Sequence, residues 1–152
     1  MGRYRFTQEV AAPPEVVFDL WTDVERLKEW TGGVTRVTDV SVPLDRAGAS
    51  YTVWFGRTAS PTVVLEVERP RVFATRFGNW ILRGVTRTTF EPSGMGTLLR
   101  QEFVSEGIFP GIMARLFSIG SWKGSFRGEL ATFARIAEAE ATARGAQRDP
   151  SP

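Results

Sequence analysis

Few side chains in this sequence are suited to chemistry, and they stand apart from one another. The chain has no Cys and no His. A thiol nucleophile, a Ser-His-Asp triad, a His-ligated metal and a structural zinc site are therefore excluded. No metal and no cofactor is expected. Proton transfer falls to Tyr51, Lys123, Glu66 and Asp39. A general acid or base must be held against its substrate, and no two of these four share a spacing that marks a pair. Tyr51, Lys123 and Glu66 are the catalytic candidates. Gln8 and Gln101 stand where a strand pattern calls for Val or Ile. Each either points a carboxamide into a cavity, or marks a bulge or a solvent-facing site, or the two amides pair. Arg76 and Arg87 can grip a carboxylate or phosphate, but the alternation puts both on an outer face.

The elements that must position these residues follow from periodicity. RYRFTQEV (3–10) alternates, with Tyr4, Phe6, Gln8 and Val10 on one side, which predicts a strand with one buried face. Pro13 and Pro14 then suit a first helical turn, and Val17, Leu20 and Trp21 follow at helical spacing. VERLKEW predicts a second short helix capped by Asp23 and ended by Gly32-Gly33. From residue 34 the period becomes two. Six strands are expected at 34–42, 50–57, 62–69, 71–77, 81–90 and 97–104, in an antiparallel meander with short turns. EPSGMG reads as the hairpin loop before the last of them.

A long helix is expected from about Pro110 to Ala143. Ile112, Ile119, Trp122, Phe126, Leu130, Phe133 and Ala137 make one broad apolar stripe on its wheel, wide enough to cover a sheet. Lys123 lies within about 40° of the centre of this stripe. It reads as an anchor for an anionic head group, as a proton donor with a depressed pKa, or as a lysine snorkelling at a cavity mouth. Gly120, Gly124 and Gly128 recur every fourth residue on the flank of the helix. They allow a bend or close sheet-edge packing, a helix from a second copy, or a soft segment that opens as a gate. The order of elements is α+β, a curved sheet of about seven strands wrapped round a long C-terminal helix.

Composition narrows the function. The 152 residues suit one domain, expected over 1–143, with 144–152 a disordered tail. Net charge is +2 and no block of five like charges occurs, so a nucleic-acid partner is not expected. No run of 18 apolar residues is present, so no membrane span is expected. The N-terminus has no apolar run like a signal peptide. A soluble, cytoplasmic protein is the expectation, monomeric or homodimeric.

Three stretches carry a family resemblance: APPEVVFDLWTDVERLKEW (12–30), EVERPRVFATRF (66–77) and FEPSGMGTLLRQEF (90–103), followed by the long helix. Over residues 3–141 the chain resembles the START-like, helix-grip superfamily, specifically its polyketide cyclase/dehydrase and lipid-transport group. Arg69 stands where that group's strand-pair motif has its first proline. The motifs are turns and caps of the scaffold and carry no catalytic signature. The resemblance implies a cavity between sheet and helix that holds a lipid, sterol, polyketide or other apolar molecule. It also leaves open a polyketide cyclase or dehydrase, and an interaction protein related to Hsp90-type co-chaperones.

With that fold, the alternation assigns the cavity lining. The strands give Tyr4, Phe6, Gln8, Tyr51, Val53, Phe55, Val63 and Leu65, then Phe73, Thr75, Phe77, Leu82, Thr86, Thr88, Leu99, Gln101 and Phe103. The helix adds Leu116, Ile119, Lys123 and Phe126. Trp54 and Glu66 fall on the opposite faces of their strands, and a one-residue slip would exchange the two sets. Trp80 is expected at the entrance, and Trp21 and Trp30 between the short helices and the sheet. The expected function is binding of a small hydrophobic ligand.

Overall fold

The structure, a computed structural model, describes residues 3–41, 43–78, 83–106 and 119–148, and the side chains of all these except 119–126 and 146–148. Seven strands form one antiparallel sheet: β1 (Arg3–Val10), β2 (Arg36–Thr38), β3 (Ser50–Phe55), β4 (Thr58–Glu68), β5 (Val72–Gly78), β6 (Arg83–Ser93) and β7 (Gly96–Glu106). Their order across the sheet is β1-β7-β6-β5-β4-β3-β2. The meander expected from residue 34 onward is present, although its first strand is only Arg36–Thr38 and not 34–42, and β1 closes it by pairing with β7. Helix α1 (Pro14–Thr22) and a 3-10 helix (Val24–Glu29) connect the two edge strands, and α2 (Ile119–Arg148) follows the sheet.

Local chemistry accounts for most of these bounds. Pro14 opens α1, where a missing N–H costs nothing. Val16, Val17, Phe18 and Leu20 are buried from it. The second short helix has 3-10 geometry, and Asp23 makes no side-chain cap bond there, contrary to expectation. The β6–β7 hairpin turns through Gly94-Met95, with Ser93 opposite Gly96 and Gly94 at φ +60°, which glycine adopts without strain. A Cβ at Gly96 would stand 2.4 Å from the Val10 carbonyl, so only glycine lets β7 approach there.

Two corrections concern β4. It begins at Thr58, not at residue 62, because a tight turn at Gly56-Arg57 brings Thr58 opposite Phe55. Pro61 hides this start from a periodicity reading, since proline argues against an inner strand. It is tolerated here beyond Thr62, the first β4 residue paired with β5. The second correction is the face. Ser60, Thr62 and Val64 are buried, whereas Val63 and Leu65 are 42% and 37% exposed. A register shift between Val64 and Glu66 then returns Val67 to the core side. Leu65 and Val63, expected inside, are on the outer face.

Packing is densest under α1. Phe18 meets Phe73 and Phe90 edge-on at 6.4 and 5.4 Å between ring centroids. Phe133 of α2, fully buried, takes Trp21 and Trp30 edge-on at 5.0 and 5.1 Å. Leu130, Ala134 and Ala137 complete the face that α2 lays on the core. Asp19 of α1 accepts two hydrogen bonds of 2.9 Å from Arg69, so the residue that departs from the group's proline pattern ties the β4–β5 turn to α1.

Helix α2 is continuous through Gly120, Gly124 and Gly128. Among the described residues nothing lies within 4 Å of where a Gly128 Cβ would stand, so close packing against the described sheet is not what places glycine there. The helix runs to Arg148, past Ala143, so 144–148 are helical and not an unstructured tail. The start expected near Pro110, together with Met113, Leu116, Phe117, Trp80 and Leu82, lies outside the described residues.

Candidate functional site

A cavity of about 350 Å³ lies between the sheet, the two short helices and α2. Its floor comes from the inward positions of five strands. These give Tyr51, Val53 and Phe55 of β3, Ser60 and Thr62 of β4, Thr75 and Phe77 of β5, Thr86 of β6, and Gln101 and Phe103 of β7. Trp21, Leu27, Trp30, Thr31, Gly32 and Val34 form one wall, and Glu129 and Leu130 of α2 the roof. Phe55 and Gly32 are exposed and mark the side nearest solvent.

Alternation explains the floor. Inward residues of adjacent strands meet in rungs, Thr62 opposite Phe77 and Thr75 opposite Thr86 opposite Phe103. Phe77 stacks on Phe103 at 5.6 Å and Trp21 on Trp30 at 6.5 Å, giving the site flat aromatic surfaces. A Cβ at Gly84 would meet the Phe103 ring at 2.8 Å, so the bare backbone of β6 leaves room for that ring. Hydroxyls of Ser60, Thr62, Thr75, Thr86 and Tyr51, with the Gln101 carboxamide, supply the polar contacts. A few polar groups in an apolar hollow are what a small-molecule site requires.

Two titratable groups share this space. Burial holds the Tyr51 phenol far above its ordinary value, although a hydrogen bond with the Thr75 side chain opposes the shift. Tyr51 therefore stays protonated across neutral pH and acts as a donor, not a base. Burial also raises the Glu129 carboxyl, against the hydrogen bond that Gly32 N–H donates to its Oε1 at 3.0 Å.

The expected residues divide accordingly. Tyr51, Val53, Phe55, Thr75, Phe77, Thr86, Gln101 and Phe103 come together in the cavity. Phe6, Phe73, Thr88 and Leu99 face the same side of the sheet but are consumed in solid packing. Gln8 is half-buried, donates to the Glu9 carbonyl and does not pair with Gln101. Glu66 is exposed on the convex face, 3.5 Å from Arg87, and is no cavity acid. Arg76 pairs there with Glu106, also at 3.5 Å. Trp54 is outside too, with Arg36 at 4.4 Å over its ring and its indole donating to Thr38. Asp39 is exposed at φ +55°. Leu116 and the side chains of Ile119, Lys123 and Phe126 lie outside the described residues.

Sequence reasoning missed Ser60, Thr62, Trp21, Trp30 and Glu129. The first two were hidden by the β4 phase. The tryptophans, expected to pack between the short helices and the sheet, do pack and also line the cavity. Glu129 had a signal: it follows Phe126 by three residues and precedes Phe133 by four, so it shares a helix face with both.

Among the described residues no group of three or more acidic side chains is placed to hold a metal, and no helix is long and apolar enough to cross a membrane. The sequence profile of a family described as polyketide cyclase/dehydrase and lipid transport matches residues 1–138. No curated protein matches the chain. Among solved structures, TTHA0849 from Thermus thermophilus is similar at 19% identity and TM-score 0.66, over 92% of this chain and 99% of that one. The di-domain ARO/CYC StfQ of the steffimycin biosynthetic pathway is similar at 12% identity and TM-score 0.71, over 94% of this chain and 51% of StfQ. DynU16, from the dynemicin biosynthetic locus, is similar at 21% identity and TM-score 0.68, over 91% of this chain and 48% of DynU16. The chain thus spans about half of each of the last two. At such identities the likeness establishes the helix-grip fold.

Proposed function

Because the chain belongs to the polyketide cyclase/dehydrase and lipid-transport family, we propose that it binds a small hydrophobic ligand, a lipid, polyketide or aromatic metabolite, between sheet and C-terminal helix. The observation that carries this reading is the cavity itself, roofed by α2 and lined by aromatic rings with hydroxyls between them. Rings supply dispersion and apolar burial, and the hydroxyls fix orientation. Native mass spectrometry of the purified protein, followed by solvent extraction, tests it. A bound apolar molecule is expected, released unchanged, and its return should raise the melting temperature. Protein that carries no ligand, and that no apolar probe stabilises, would overturn the reading.

One observation favours a second reading, that of a cyclase. Tyr51 and Glu129 are a proton donor and a carboxyl in one hollow. An aldol ring closure takes a proton from a methylene between two carbonyls, forms a carbon–carbon bond to a ketone carbon, and protonates the resulting alkoxide. Glu129 as carboxylate suits the first transfer and Tyr51 the last. On this reading a poly-β-ketone is cyclised, and Tyr51→Phe lowers turnover more than binding. A pure interaction protein of the co-chaperone kind needs no hollow of this size.

A further inference from the structure

The cavity has a polarity that its apolar character conceals. Glu129 is the one charged side chain among its described lining residues. Its Oε1 is engaged by Gly32 N–H at 3.0 Å. Oε2 has no hydrogen-bond partner among the described residues. No described cation stands in the lining to offset it. The other polar lining groups among the described residues are hydroxyls, a carboxamide, the indole N–H groups of Trp21 and Trp30, and backbone, none of them charged.

We propose that Glu129 sets the specificity of this cavity, selecting neutral, hydroxyl-bearing aromatic molecules and rejecting carboxylates of the same skeleton. The inference rests on the cavity being a binding site and adds the chemical class of its occupant. A phenol or enol donates its O–H to Oε2, which has no donor among the described residues, while its ring lies against Trp21, Trp30 or Phe103. A ligand carboxylate at the same place sets two like charges together with no described cation between them. Like-charge contact in a partly desolvated site is costly, and water can relieve it only on the side where Glu129 is still exposed. Gln101 and Tyr51 leave a ligand carbonyl well served, so ketones and quinones remain acceptable. Fatty acids, whose one polar group is a carboxylate, fit the site poorly.

The test is calorimetric titration of the full chain with three probes of one skeleton: 2-naphthol, 2-naphthamide and 2-naphthoate. At neutral pH the two neutral probes are expected to bind within about threefold of each other, and the naphthoate at least about tenfold more weakly. Glu129→Gln, which keeps an acceptor for Gly32 but removes the charge, should bring naphthoate to within about threefold of naphthol. Glu129→Asp should keep the rejection of the anion. Naphthoate binding to wild type as tightly as the amide would overturn the proposal, and so would a gap that Glu129→Gln leaves intact. The amide-to-carboxylate gap is read on the wild-type chain, so the test survives if the variant does not fold. Failure of all three probes to bind is a separate outcome, which overturns the binding reading and this proposal together.

Discussion

The concave face of the sheet has a solid end and a hollow end, and the same strands build both. At the solid end the rung of Phe90 and Leu99 lies under Phe18 of α1, with Leu99 fully buried. Two rungs away the residues are Thr75, Thr86 and Phe103, and a cavity stands over them. The rung between, Phe73–Thr88–Gln101, crosses the boundary: Phe73 packs on Phe18, while Gln101 lines the hollow. A strand keeps one face to the core whatever its residues are. What changes along it is whether a helix fills the space above, and side-chain chemistry follows that change. Under α1 the inward residues are mainly large and apolar; where α1 does not reach, hydroxyls and an amide stand between the rings.

Substitutions at the two ends should therefore behave differently. Phe133→Ala removes a fully buried ring that holds Trp21 and Trp30. It should cost about 3–5 kcal/mol of unfolding free energy, read by urea denaturation. Tyr51→Phe at the hollow end loses a hydrogen bond with Thr75 but opens no cavity. About 0.5–1.5 kcal/mol is expected, together with weaker ligand binding. A loss as large as that of Phe133→Ala would mean that the hollow end is core.

Thr88 sharpens the boundary. It is fully buried, and its Oγ1 has no hydrogen-bond partner among the described residues. Thr88→Val keeps the shape and removes the hydroxyl, so it should be neutral or stabilising by about 1 kcal/mol. Destabilisation would show that the hydroxyl is satisfied, and would place Thr88 with the hollow end.

Glu129 gives the comparison a pH dependence. Its carboxyl is raised by burial, so the folded chain holds that proton more tightly than the unfolded chain. The contribution to stability is full at acid pH, below the ordinary carboxyl range, and is lost as pH rises through the raised value. Glu129→Gln should match wild type at acid pH below the ordinary carboxyl range and gain on it as pH rises through the titration. A variant less stable at every pH would mean that the Gly32 hydrogen bond outweighs desolvation. The smallest effect is expected on the convex face, where Leu65→Ser should change stability by less than about 0.5 kcal/mol.

Much of this was legible in the chain. Prolines at a helix start, period-two strands, the glycines of EPSGMG and the apolar stripe over Leu130, Phe133 and Ala137 are local signals that each mark an element, although the strand expected at 34–42 shortens to Arg36–Thr38 and the loop expected at 91–96 to Gly94-Met95. The inward face followed wherever the alternation ran unbroken, as for Phe73, Thr75 and Phe77 or Leu99, Gln101 and Phe103. It failed in β4, where apolar Val63 and Leu65 point out and polar Ser60 and Thr62 point in. Hydrophobicity predicts burial only when the covering layer is solid. A floor meant for a ligand carries hydroxyls, and a bulge then resets the phase.

Sequence by itself determined the order of elements, their periods and the absence of thiol and imidazole chemistry. Those properties are set by each residue's own geometry and by its neighbours along the chain. Tertiary structure alone decided which inward residues are core and which are lining, because that depends on where α1 ends above the sheet. It also separated Glu66 from Glu129. Both are glutamates beside apolar neighbours, yet one faces Arg87 on the convex face and the other roofs the cavity beside Gly32. A carboxylate's chemistry is governed by the solvent and charges around it, and the fold assembles those from distant parts of the chain.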